Sequence, residues 1–276
     1  MVLFDSLGFS WNRDSIPREL PRVSIERAAF GFARMLPEYV WDAGVLEGNP
    51  FTFPEVKTLL DGVTVGGRKV SDQEQILNLA RSSKYLLGLV RRQEFKLDKE
   101  TFCALHSHVA RNDALEWGES GAERLNGIFS MGLEALQENV PNLFERATAF
   151  SLFGSLQQFF FDGNESTSRF MMNGALMMEG IDAISIPAMR AAEFNSKMVE
   201  FYTSRDATQM MSFVLECHPE FSRIRELNPE LPLVRDPPAF KYYRFDDPLP
   251  EAGYSAVPAE QDAPSRGRGT DFDPSG

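Results

Sequence analysis

The chain is poor in the residues that most chemical signatures need. Of its 276 residues only two are cysteine, Cys103 and Cys217, and neither sits in a C-x-x-C pair or at metal-ligand spacing from a histidine. A disulfide framework and a zinc ribbon are excluded on that count, and two buried thiols in a reducing compartment are expected. Histidine is scarcer than in most enzymes of this size, with His106, His108 and His218 the whole supply. His106 and His108 would point to opposite sides of a helix, so no zinc site is expected and all three read as surface histidines. Basic charge is also short: 28 Lys and Arg stand against 40 Asp and Glu, a formal charge of -12, and no block of five basic residues occurs. A polyanion-binding face needs such a concentration, so nucleic acid is not an expected partner. Long apolar runs are missing too. No stretch of about 18 apolar residues could span a bilayer, and the opening MVLFDSLGFSWNRDSIP lacks a basic region followed by an apolar one. A cytoplasmic protein without a membrane partner is the expectation.

Period-two alternation is almost absent, and helix signals take its place. Ser24 opens a helix that Pro37 is expected to stop. Thr52-Phe-Pro-Glu55, Ser71-Asp-Gln-Glu74 and Asn142-Leu-Phe-Glu145 each have the spacing of a capping box, in which residue i and the acid three positions on satisfy each other's end of the helix. Asp98 is expected to cap a helix to Val109, a further helix runs from Ala122 to Leu136, Pro187 opens one to Tyr202, and Asp206 caps one to Cys217. The segment after Asn142 carries Phe150, Leu152, Phe153, Leu156 and Phe159 to Phe161, apolar on nearly every side, which belongs at the centre of a bundle. The fold class predicted is all-α, a bundle of about eight helices. Three parts are expected: an N-terminal helical segment over 1–50, a core over 51–235, and an acidic, proline-rich tail over 236–276 that is mostly disordered, with Phe240 to Phe245 able to dock on the core.

The stretch FFFDGNESTSRFMMN, Phe159 to Asn173, raises the functional question. A helix start leaves about four backbone N–H groups unpaired and carries partial positive charge, so Gly163 and Asn164 ahead of one can cradle a phosphate. Asp162 is an oxygen ligand suited to Mg²⁺, and Arg169 can hold a phosphate with two parallel bonds. The alternative is an ordinary turn, because Asp, Gly and Asn are common turn residues. The Met171-Met172 and Met177-Met178 pairs read as gap-filling core, and Gly66-Gly67 lacks the pattern of a nucleotide fingerprint.

Gln158-Phe-Phe-Phe-Asp162-Gly-Asn164, followed by Arg169, resembles the signature of the Fic family, H-x-F-x-[DE]-G-N-[GK]-R-x-x-R, set between two helices of an all-α core. Upstream, Leu46-Glu47-Gly48-Asn49 with Thr52 to Val56 and Thr64 to Gly67 resembles the N-terminal segment of self-inhibited members. The resemblance covers about residues 24 to 220. It implies transfer of a nucleotide monophosphate, usually AMP from ATP with Mg²⁺, onto a hydroxyl of a target protein. The motif's histidine would act as base, Asp162 would hold the metal, Gly163, Asn164 and Arg169 the phosphates, and Glu47 would inhibit by pairing with Arg169.

Several positions depart from that pattern. Gln158 stands in the histidine's place, and a carboxamide accepts no proton at neutral pH; losing a general base removes about 10²–10⁴ in rate. Glu165-Ser166 replace the small or basic residue and the first arginine, and a carboxylate about 4–5 Å from a phosphate costs on the order of 3–4 kcal/mol at an effective dielectric of 20. Trp117 to Arg124 is too short for the family's flap hairpin, and Ala43 stands where self-inhibited members carry Ser or Thr. The resulting expectation is a degenerate protein that binds or regulates a target protein, with ATP and Mg²⁺ weakened, and homodimerisation left open. The alternative is a transferase that works without the motif histidine.

Overall fold

The computed structural model describes residues 2–111 and 119–232, and within them the chain is helical with no strand. Twelve α-helices follow in order: α1 Val2–Leu7, α2 Ile25–Arg34, α3 Leu36–Leu46, α4 Phe53–Leu60, α5 Val70–Arg91, α6 Lys99–Val109, α7 Glu119–Asn139, α8 Leu143–Gln157, α9 Asn164–Met178, α10 Ala191–Ser204, α11 Thr208–Glu216 and α12 Phe221–Leu227. The all-α expectation holds, while the count of about eight was too low. Pro37 accounts for one miss. It lies in the first turn of α3, where its missing N–H is no loss, so it opens a second helix after α2 has already ended at Arg34. Helix α12 carried no start signal and was not foreseen.

Most starts follow local chemistry. Ser24 Oγ accepts from the Arg27 N–H, Asp98 Oδ1 from Thr101, Asn142 Oδ1 from Glu145, and Glu55 Oε2 accepts from the Thr52 N–H at 2.7 Å. Ser71 is a correction: α5 begins at Val70 behind Lys69, and Ser71 caps nothing. Pro187 leads first into a 3₁₀ turn, Ala188–Arg190, before α10. Trp117, where the stretch read as too short for a flap hairpin begins, and the tail from Asp236, including Phe240 to Phe245, lie outside the described residues. From Glu119 the backbone is already helical, three residues before the predicted Ala122.

Helix α8 is the axis. Phe144 to Ser155 is buried on all sides but one position, and α9 lies along it. Around this pair pack α5, α6 and α7, with α2 and α3 against α5 and with α11 against α8. One apolar cluster runs from Leu7 to Ile224 and includes residues of α1 to α3, so the N-terminal segment shares the core. The α9–α3 junction is tied twice. Asn173 exchanges both amide bonds with the Ile184 backbone at 2.8 and 2.9 Å. Asp42 of α3 accepts from the Ala188 N–H at 2.8 Å and the Ser185 hydroxyl at 2.7 Å. Gly180 closes α9 at φ +70, and a Cβ there would overlap the Val23 carbonyl that runs alongside.

Candidate functional site

The site forms where α8 stops. Gln158 ends that helix in the left-handed conformation, φ +50, which is strained for a residue with a side chain. Its amide makes up for part of this: Nε2 donates to the Ser155 carbonyl at 2.6 Å, and Oε1 accepts from Asn164 Nδ2 at 3.2 Å. The chain then dives inward. Phe159 stands edge-on to Phe102, Phe129 and Phe153, with ring centroids 5.3 to 6.0 Å apart, and Phe160 lies flat on His106 at 3.6 Å. Phe161 turns outward and is 81% exposed. Anchored by its two buried rings, the loop presents Asp162 to solvent at the mouth of α9.

Four contacts fix the turn. Asp162 Oδ1 accepts from the Gly163 N–H at 2.7 Å, and Gly163 adopts φ +72 with Val109 so near that a Cβ would sit 2.9 Å from its Cγ1. Asn164 is buried. Its Oδ1 accepts from the Phe160 N–H at 2.9 Å and its Nδ2 donates to the Phe160 carbonyl at 2.7 Å, closing the loop on itself. His106 Nε2 reaches the Asp162 carbonyl at 2.9 Å, which makes that nitrogen the protonated one, and burial pulls its pKa down. His106 and His218 correct the surface assignment, since both are buried. No local pattern announces the burial of His106, because its partner is 56 residues away.

Glu47 and Arg169 do meet. Glu47 follows the last turn of α3, and its Oε1 lies 3.6 Å from Arg169 Nη2. The link is mediated by Ser166, whose hydroxyl donates to Glu47 Oε1 and accepts from Arg169 Nη2 at 2.9 Å. On the other side Gln75 Nε2 donates to Glu47 Oε2 at 3.1 Å, while Gln75 Oε1 accepts from Asn49 Nδ2 at 2.7 Å. The Glu47 side chain is 20% exposed and that of Arg169 12%. Burial raises the Glu47 carboxyl above the ordinary carboxylate range, Arg169 and the Ser166 hydroxyl oppose it, and Asp162 and Glu165 add to it. Gln75 and Ser166 were missed as members of this cluster. Gln75 directly follows the Ser71 to Glu74 stretch read as a capping box and carried no signal of its own, and Ser166 counted only as a lost arginine.

Glu165 sits in the first turn of α9. Its Oε2 is 3.7 Å from Arg169 Nη1, and its Oε1 accepts from the Tyr202 hydroxyl at 2.9 Å. One guanidinium therefore faces the carboxylates of Glu47 and Glu165, with that of Asp162 on the turn. That balance does not suit a polyphosphate, which needs the arginine free and the neighbouring carboxylates removed. Asp162, the residue expected to hold a metal, is exposed on the turn, and among the described residues no three His, Cys, Asp or Glu side chains gather as a metal site. Among them also no helix is long and apolar enough to cross a membrane.

No family model matches the chain. It is similar to the protein adenylyltransferase Fic of Drosophila willistoni, 23% identical over 202 residues that take in 65% of this chain and 39% of the relative. The Drosophila virilis protein of the same name gives 23% over 202 residues and 40% of its own length. The chain thus spans about two fifths of the length of the curated relatives it matches. Among solved structures, a fragment of Fic-1 from C. elegans superposes with a TM-score of 0.57 at 17% identity, over 74% of this chain and 69% of that one. A Fic-domain signalling protein from Bacteroides thetaiotaomicron gives 0.55 at 15% identity, over 83% and 94%.

Proposed function

We propose that this chain, which has the Fic fold and is similar in sequence to Fic adenylyltransferases, has lost or greatly weakened nucleotide transfer and acts by binding or regulating a protein. The observation that carries this reading is the state of Gln158. In the position of the motif base stands an amide whose nitrogen donates to Ser155 and whose oxygen accepts from Asn164. Neither atom can take a proton from a substrate hydroxyl at neutral pH. The crowding of Arg169 supports it: Glu47, Ser166 and Glu165 occupy the guanidinium that would hold phosphate. The purified chain incubated with labelled ATP, Mg²⁺ and a cell lysate is expected to leave no label on any protein. Robust labelling that disappears with Asp162→Ala would overturn the reading.

A second reading, transfer without the motif histidine, draws on the exposed Asp162, the left-handed Gly163 and the helix start beyond it, all intact. Under it ATP and Mg²⁺ bind measurably, and Glu47→Gly raises both binding and labelling by releasing Arg169. Calorimetric titration with ATP and Mg²⁺ separates the two readings, since the first expects no heat of binding at micromolar concentrations.

A further inference from the structure

Beside Arg169, α8, α9, α10 and α11 leave a cavity of about 20 Å³. Thr148, Arg169, Phe194, Met198, Met210 and Val214 are among the residues that line it. Two of them carry polar atoms without a hydrogen-bond partner among the described residues: Thr148 Oγ1 and Arg169 Nη1. Thr148 is fully buried, and Arg169 Nη1 has only the Glu165 carboxylate at 3.7 Å, beyond hydrogen-bonding distance. Buried polar groups in native proteins are almost always satisfied, by protein or by ordered water, and a threonine within a helix ordinarily returns its hydroxyl to the carbonyl four residues back. Thr148 does not do so, and its hydroxyl and the guanidinium edge belong to side chains that line the same space.

We propose that this cavity is a hydration site in which one ordered water accepts from Arg169 Nη1 and hydrogen-bonds Thr148 Oγ1. The volume selects the occupant. A water needs roughly 10–15 Å³ measured this way and two to four polar partners, so one fits and has the minimum number, while the volume leaves no room for a second. Charge selects against a small anion, because the guanidinium already faces two carboxylates, Glu47 and Glu165. Ser151 and Ser155 also line the space, with the Ser155 hydroxyl already donating to the Ser151 carbonyl at 3.0 Å, and the rest of the lining is apolar, which slows exchange of the water with bulk. Its effect is to satisfy the arginine edge that neither carboxylate reaches. This site stands whether or not the chain transfers a nucleotide.

The test uses the full chain with labelled threonine and valine methyl groups. A nuclear Overhauser cross-peak between water and the Thr148 methyl, with the sign of a long-lived bound water, is expected. Thr148→Val keeps the shape but removes the hydroxyl, so it strands the arginine edge and the water; the thermal midpoint is expected to fall by about 2–4 °C. A dry cavity gives the opposite sign, since the valine then deletes an unsatisfied hydroxyl. Absence of the cross-peak in the native chain, or a Thr148→Val midpoint that is unchanged or higher, overturns the proposal. Should the variant fail to fold, the cross-peak alone decides.

Discussion

The Glu47–Arg169 pair is expected to respond unequally to loss of its two ends, and the structure sets the sizes. At 3.6 Å and an effective dielectric of 20 the attraction is about 4–5 kcal/mol. Burial nevertheless raises the Glu47 pKa, so taking this carboxylate out of water outweighs what Arg169 and Ser166 return. Glu47→Gln removes the attraction and the desolvation together and retains an oxygen for the Ser166 hydroxyl. Its net effect at pH 7 is expected within about 1 kcal/mol of zero, on the stabilising side. Arg169→Met removes only the attraction and leaves Glu47 buried with Glu165 nearby, so it is expected to lose about 3–5 kcal/mol. The double variant should recover much of that, a coupling of about 2–3 kcal/mol. Urea denaturation at pH 7 with an unchanged slope measures all three. The pH dependence adds a sign. A carboxyl raised in the folded state contributes stability below its ordinary 4.5 and loses it as pH climbs through the folded value, so the advantage of Glu47→Gln widens from pH 4 to 7. If Glu47→Gln loses as much as Arg169→Met, or the gap is flat with pH, the clasp is a stabilising ion pair and this account of it fails.

His218 should govern part of the acid limb. It is fully buried, accepts the Glu220 N–H on Nδ1 at 3.0 Å, and burial holds its pKa down at about 4 against an ordinary 6.5. A depressed histidine contributes stability above 6.5 that is lost as pH falls toward 4, on the order of 3 kcal/mol, and His218→Gln should flatten that slope in denaturation series. An identical slope in the variant would remove His218 from the account. Asn164→Ala cuts three hydrogen bonds, two of them to Phe160, and is expected to lose about 2–4 kcal/mol with faster amide exchange at Phe160; unchanged exchange there would mean that the buried rings alone hold the loop.

What could be read from the sequence is what is local. Thr52, Asp98 and Asn142 act on residues three positions away, so spacing alone located α4, α6 and α8, and the apolar girth of α8 announced its central place. Ser71 has the same spacing and fails. Asn49 Nδ2 donates to the Asp72 carbonyl at 2.9 Å and ties the first turn of α5 to the segment after α3, and the helix is capped at Lys69, two residues before Ser71. Pro37 was ambiguous for a different reason, since proline suits a first turn as well as it ends a preceding helix. The candidate site divides in the same way. Asp162, Gly163 and Asn164 form one local turn, and Glu47 lies against Arg169 as the resemblance to self-inhibited Fic members implied. Gln75, His106 and Tyr202 enter only because α5, α6 and α10 close around that turn.

The departures from the Fic motif are also structural members, and under the proposed reading this bears on what nucleotide transfer would require. Gln158 braces Ser155 and Asn164, Glu165 takes the Tyr202 hydroxyl, and Ser166 bridges Glu47 to Arg169. Rebuilding the motif as Gln158→His, Glu165→Gly and Ser166→Arg supplies a base and a second guanidinium. With Glu47 in place, however, position 166 already touches its carboxylate, so the new arginine pairs with Glu47 and tightens the clasp instead of opening it. Protein labelling by ATP and Mg²⁺ is therefore expected to stay near background in the triple variant and to appear only when Glu47→Gly is added. Labelling by the triple variant alone would show that Glu47 does not restrain Arg169, and failure of the fourfold variant, folded by circular dichroism, would place what limits transfer outside these four residues.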